Sequence, residues 1–223
     1  MSGFKQLFQG IFLINGRICT KNLVQGQSVY GERLLNDKGS EYREWIPFRS
    51  KLAAAIKKNL KNVPITNAST VLYLGIAEGT TASHISDIVG KDGLIVGIDI
   101  SEKTMRKLLR ICEQRLNIIP RIADANQPDT YASDLENMKF DIIFQDVSQK
   151  NQVDILRKNA EVFLKQNGFA LLALKAKSIS STTNVKNIFD VQDVELKKYF
   201  KIIERISLEP FEKDHMFYVL KKL

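Results

Sequence analysis

From Val71 onward the chain alternates between short apolar runs and longer stretches in which apolar residues return every three or four positions. The runs VLYLG, LIVGIDI, IIPRIAD, FDIIFQDV and FALLALKA predict strands, and the intervening TASHISDIV, EKTMRKLLRICEQRL, NQVDILRKNAEVFLKQ and VQDVELKKYF predict helices, because strand runs are short and continuous whereas a helix shows the 3.6-residue period. One more short helix is predicted between Ala125 and Lys139. Such βαβ repetition predicts an α/β fold with a mostly parallel sheet and helices on both faces, a Rossmann-like arrangement. The last two runs, KIIERISLEP and HMFYVLKKL, are joined only by FEKD. A link that short fits a hairpin, so the final strand is predicted to lie antiparallel.

The amino-terminal part has a different pattern. IFLINGRICT places an Asn-Gly pair between two apolar runs, the strongest short hairpin signal. Further polar, glycine-broken sequence suggests more short strands until Pro47 opens a helix-forming segment, FRSKLAAAIKKNL. These patterns predict two domains: a small N-terminal β subdomain over 1–44 and a larger α/β domain over 45–223.

Composition narrows the picture. At 223 residues and 44% hydrophobic the chain can bury a full core. It lacks an apolar stretch of the roughly 18 to 20 residues that span a bilayer and a signal-peptide layout at its start, so no membrane association and a cytoplasmic location are expected. Two distant cysteines, Cys19 and Cys112, and two histidines support neither a disulfide framework nor a metal site; both cysteines are expected to be buried as small apolar residues. The net charge of +8 favours a polyanionic partner such as RNA, although lysines spread over every surface would give the same number.

Ligands of open α/β sheets sit at the carboxyl ends of the strands, and those ends are rich in polar residues. The first run ends at Gly75 and turns through Ala77, Glu78 and Gly79 to Thr80 and Thr81; the second ends with Asp99, the third with Asp124, and the fourth with Asp146 and Gln149. A carboxylate at the second strand tip suits a ribose. The dinucleotide fingerprint G-x-G-x-x-G is absent, since Ile76 follows Gly75, and the excess of acids suits a cationic sulfonium better than a pyrophosphate. The predicted cofactor is therefore S-adenosyl-L-methionine. The competing reading is that these acids cap the following helices and that Ile76, Ile98 and Val147 belong to the core.

The stretches YREWIPFRSKLAAAI, VLYLGIAEGTTASHISDIVG, NIIPRIADANQP, IIFQDVSQKNQ, LKAKSISST and LEPFEKDH resemble, in order, those of the fibrillarin family in its archaeal form. The resemblance implies a S-adenosylmethionine-dependent methyltransferase fold and methyl transfer to a ribose 2′-hydroxyl of rRNA and tRNA. Matched motif by motif, it implies a catalytic set of Lys51 in FRSKL, Asp146 in FQDV, Lys175 in LKAK and His215 in KDH. It implies cofactor contacts at Thr80, Thr81, Asp99, Ile100, Asp124, Ala125, Asp146, Val147, Ser148 and Gln149, to which the turn residues Gly75, Ala77 and Gly79 are added. It also implies box C/D ribonucleoprotein partners: a guide RNA, a Nop-family scaffold protein and a kink-turn-binding protein of the ribosomal L7 type. The sequence departs from the family at Glu78, where a small residue is usual, and at Asn126, where a basic one is. Lys175 emerges from the apolar run FALLAL; burial and a neighbouring positive charge favour a neutral amine, so such a lysine can act as a base. Other readings are a methyltransferase with a different substrate and a non-catalytic RNA-binding scaffold subunit.

Overall fold

The computed structural model describes residues 3–223. Residues 4–44 form an antiparallel sheet of β1 (Phe4–Phe8), β2 (Ile11–Ile14), β3 (Arg17–Lys21), β4 (Leu34–Asp37) and β5 (Ser40–Glu44), ordered β1-β2-β3-β5-β4. Asn15 and Gly16 turn the β2–β3 hairpin with φ of 49° and 78°, the left-handed pair that matches a two-residue turn to strand twist.

After a 3₁₀ turn at Pro47–Arg49, the chain enters α1 (Lys51–Lys57), β6 (Thr70–Leu74), α2 (Thr80–Val89), β7 (Leu94–Asp99), α3 (Glu102–Cys112), β8 (Ile118–Ile122), α4 (Asp129–Ala132), β9 (Phe140–Gln145), α5 (Gln152–Phe163), β10 (Leu164–Lys175), α6 (Ala176–Ile179), α7 (Val185–Leu196), β11 (Phe200–Ser207) and β12 (His215–Lys222). The larger sheet runs β11-β12-β10-β9-β6-β7-β8. The five strands β6 to β10 are parallel, and β12 lies antiparallel to both β10 and β11, as the short link predicts. Pro120 sits in the edge strand β8, where its missing N–H costs no ladder bond.

Alternation along the strands sorts side chains into two cores. Val71 and Tyr73 of β6, Ile142 and Phe144 of β9, Leu171 and Ala173 of β10, and Phe217 and Val219 of β12 pack on one face with α1 and α2. Leu72, Ile143, Leu172 and Tyr218 pack on the other with α5 and α7. The two-residue period of a strand, carried to the strand ends, puts Asp146, Lys175 and His215 on the α1 side.

The structure departs from the sequence pattern at boundaries. Pro47 to Arg49 is a 3₁₀ turn because Ser50 is extended and caps α1 with its hydroxyl. The predicted helix through Gln166 stops at Phe163, ahead of Asn167 in the left-handed region. Helix α6 is additional. Cys19 is buried as expected, with its thiol pushed up to about 12 by burial and by the Glu44 charge; Cys112, on the margin of α3, is only half-buried, which corrects the expectation for it.

Candidate active site

The turn after β6 is shaped by close packing. Gly75 has φ of 77°, and a Cβ there would lie 2.4 Å from the Asp146 carbonyl oxygen, so the crossing of this turn over the end of β9 admits no side chain. Gly79, also left-handed, opens α2 without a capping side chain, which leaves the first-turn N–H groups of Thr80 and Thr81 as donors for a ligand. Glu78, where the resemblance leads to the expectation of a small residue, is exposed and pairs with Lys107 of α3. It is neutralised outside the cavity.

Asp99 ends β7 with both carboxylate oxygens engaged: Oδ2 accepts the Ala77 N–H at 2.8 Å and Oδ1 the Ser101 N–H at 2.9 Å. The cap of α3 itself is Ser101, whose hydroxyl accepts from the Thr104 N–H. Asp99 therefore braces the glycine turn, and each oxygen retains acceptor capacity for a hydroxyl. Asp124 holds its own turn by accepting the Asn126 N–H. Asn126 in turn accepts from the Asn151 and Lys158 side chains, so a basic group is present beside this position although the residue is not basic.

A cavity of about 320 Å³ opens between these strand ends, lined by Gly75, Ala77, Asp99, Ile100, Ala125, Asp146, Val147, Ser148 and Gln149 of the predicted set, with Ile98 and Ala123 in addition. Gly79, Thr80, Thr81 and Asp124 lie outside that lining. Ile76, Ile98 and Val147 are buried, and Val147 both packs in the core and faces the cavity. A second cavity, of about 360 Å³, lies at the opposite end of the sheet around Thr66, Asp141 and Lys165. It contains none of the predicted residues.

Beside the first cavity, Lys51, the first residue of α1, donates to Asp146 Oδ2 at 2.8 Å. Lys175 and His215 face each other across β10 and β12. The neighbouring backbone bond from the Ala176 N–H to the Asp214 carbonyl makes theirs a non-hydrogen-bonded pair, the kind whose side chains approach most closely. His215 is buried to 6% exposure; its Nδ1 lies 2.7 Å from the Lys213 carbonyl, which can only accept, so Nδ1 carries the proton and Nε2 is left for a ligand. Two pairs of side chains thus lie on one face of the sheet, Asp146 and Lys175 from the carboxyl ends of β9 and β10, Lys51 from the start of α1 and His215 from the amino end of antiparallel β12, one acid among three potential cations.

Two residues that the sequence did not single out support this arrangement. The Thr81 hydroxyl donates to Ser50 Oγ at 3.0 Å, joining the starts of α1 and α2. Tyr73 is buried beneath the site; burial first, and the Asp146 charge second, push its phenol well above its ordinary value, so it stays neutral. A tyrosine inside the otherwise aliphatic run VLYLG was the available signal.

The family model for Fibrillarin matches residues 4–222. A fibrillarin-like rRNA/tRNA 2′-O-methyltransferase from Thermococcus gammatolerans is 48% identical, with 98% of each chain covered. Among solved structures, Aeropyrum pernix fibrillarin with natively bound S-adenosyl-L-methionine superposes with a TM-score of 0.88 at 39% identity, covering 99% of this chain and 100% of that one. The fibrillarin of a fibrillarin/Nop5p complex gives 0.91 at 40% identity, covering 98% and 100%.

Proposed function

This chain belongs to the fibrillarin family, and from that premise we propose that it methylates ribose 2′-hydroxyls of rRNA and tRNA, using S-adenosyl-L-methionine, as the catalytic subunit of a box C/D ribonucleoprotein. The observation that carries the reading is the ion pair of Lys51 with Asp146, a residue that lines the strand-end cavity, on the same face of the sheet as the facing pair Lys175 and His215. A site for a different small substrate has no evident use for three potential cations on one face, whereas an RNA backbone does.

The donor set fits the cofactor. Gly75 keeps the floor of the cavity open, braced Asp99 offers acceptors to a ribose, and the first turn of α2 offers N–H groups to a carboxylate. S-adenosylmethionine supplies, when bound, a methyl group made electrophilic by its sulfonium. The chain must then align and deprotonate a hydroxyl that holds its proton well above neutral pH. Alignment contributes on the order of 7 to 11 kcal/mol to barrier reduction; proton transfer adds roughly 3 to 5 kcal/mol, a factor of about 10² to 10⁴. Lys51 fixes the Asp146 carboxylate, which orients the lysine amine and favours positive charge nearby. Lys175 accepts the 2′-hydroxyl proton as the oxygen takes the methyl group, and His215 Nε2 with the remaining Lys51 donors positions the ribose and adjoining phosphate.

Among the described residues the two sheets and their helices account for the whole fold, and the reading assigns the choice of nucleotide to partners: a guide RNA, a Nop-family scaffold and a kink-turn-binding L7-type protein. The Nop5p complex of a relative 40% identical supports the scaffold. The test is a reconstituted particle with guide RNA, scaffold and labelled cofactor. Site-specific methylation that needs all components and falls at least 100-fold in Lys175→Ala supports the proposal; robust methylation of chosen sites by the chain alone, or full activity of the variant, contradicts it.

A further inference from the structure

Strand β9 ends at Gln145, opposite Leu172 of β10, and the next N–H, that of Asp146, bonds to the Leu74 carbonyl on the β6 side. Lys175, three residues further along β10, therefore has a strand on its β12 side and none on its β9 side. The vacant ladder position is filled by a side chain. Gln152, at the start of α5 and 1% exposed, accepts the Lys175 N–H at Oε1, 2.9 Å, and donates from Nε2 to the Lys175 carbonyl, 3.1 Å. A primary amide makes both bonds that a neighbouring peptide would make. Gln152 is itself fixed, since its carbonyl accepts from Gln145 Nε2 at 2.7 Å.

We propose that Gln152 is a positioning residue for the methyl-transfer site, a surrogate strand that holds the Lys175 backbone extended so that its amine stays at the reacting hydroxyl. The proposal rests on the functional reading above. Its chemistry is specific to this position: the amide satisfies one donor and one acceptor at once, and both Lys175 backbone groups point towards Gln152 because the Lys175–His215 pair is the non-hydrogen-bonded one. Without the clamp, the last residues of β10 are held from one side only, and a displacement of about 1 Å at a reacting group is enough to cost on the order of 100-fold in rate. The residue touches neither cofactor nor substrate. It acts through Lys175.

The test uses the reconstituted particle with Gln152→Leu, Lys175→Ala and the double variant, alongside Gln152→Glu, which keeps the acceptor for the Lys175 N–H. In the full-length chain alone, amide hydrogen exchange at Lys175 and S-adenosylmethionine binding are measured. Expected are an exchange rate at Lys175 at least tenfold faster in Gln152→Leu, cofactor affinity within twofold of wild type, a kcat at least tenfold lower with KM for RNA little changed, a smaller loss in Gln152→Glu, and no further loss when Gln152→Leu is added to Lys175→Ala. Unchanged exchange at Lys175, or an equal loss of rate with and without the Lys175 side chain, overturns the clamp while leaving the methyltransferase reading intact. A wild-type particle that methylates no ribose overturns the functional reading, and the catalytic part of this proposal with it, whatever the exchange data show.

Discussion

At the scale of single residues, the cofactor turn separates a position fixed by geometry from one that only looks special. Gly75 combines a left-handed backbone with a Cβ position 2.4 Å from a carbonyl oxygen that belongs to Asp146. An alanine there carries about 1–2 kcal/mol of backbone strain and in addition pushes Asp146 away from Lys51. Gly75→Ala is expected to abolish measurable S-adenosylmethionine binding by calorimetry and to lower the thermal transition. Glu78 is the contrasting case. Its pair with Lys107 is half-exposed on both sides, and such pairs contribute about 0.2–1 kcal/mol. Glu78→Gln is expected to leave cofactor affinity within twofold; a tenfold loss would mean that the acid faces the ligand after all.

At the scale of elements, α1 and α2 present their first turns to the same site and are joined there by one hydrogen bond. Ser50 caps α1 and accepts the Thr81 hydroxyl of α2, so Ser50→Ala removes a cap worth about 0.5–2 kcal/mol and frees Lys51 at the same stroke. The expected outcome is a stability loss of about that size by urea unfolding, with a fall in kcat that Ser50→Thr largely restores. The elements themselves were legible because parallel strands buried on both faces read as continuous apolar runs, and Asn15-Gly16 announced its hairpin by turn chemistry alone. Their ends were less legible. Lys165 and Gln166 continue a helical pattern that the Asn167 turn and the pairing of β10 with β9 override, and α6 is too short to show a period. Contacts between distant residues left no trace in local pattern: Lys51 and Asp146 are 95 residues apart, and only family resemblance set them side by side. Asp99 was open between ribose binding and helix capping, and its brace to Ala77 is a third role that spacing could not reveal.

At the scale of the whole molecule, the amino-terminal sheet is fastened to the cofactor-binding half by buried charge. Arg43 of β5 pairs with Glu32 at 2.6 Å and with Asp87 of α2 at 2.9 Å, and Arg115 pairs with Asp87 at 2.6 Å, all with almost no exposed side-chain surface. Removing one partner leaves the others buried and uncompensated, so Asp87→Asn is expected to cost about 3–5 kcal/mol in chemical unfolding. His84 lies inside this cluster, stacked on Trp45 and bonded to Thr20 and Tyr30 through its two nitrogens, each at 2.7 Å. The Thr20 hydroxyl proton goes to Asp87, so Nδ1 donates to Thr20 and Nε2 accepts from Tyr30, a neutral ring. Burial, then the charges of Arg43 and Arg115, hold His84 well below its ordinary value of 6.5. In the unfolded chain the ring takes a proton near that value, so between the folded and unfolded pKa the unfolded state binds the extra proton and stability is lost as the pH is lowered. The slope reaches about 1.4 kcal/mol per pH unit. Glu32 acts only at lower pH: burial opposes its ionisation, yet Arg43 and the backbone donors of Tyr30 and Val29 outweigh that and keep it below 4.5, so its contribution is present above that value and is lost on further acidification. Acid unfolding is therefore expected in two stages, the first setting in below about pH 6.5. His84→Gln, whose amide can serve both Thr20 and Tyr30, should remove the first stage and leave the second. Urea unfolding of both proteins from pH 8 down to about pH 3 checks this, and an undiminished slope between pH 6.5 and pH 4.5 in the variant would place the first stage in other groups.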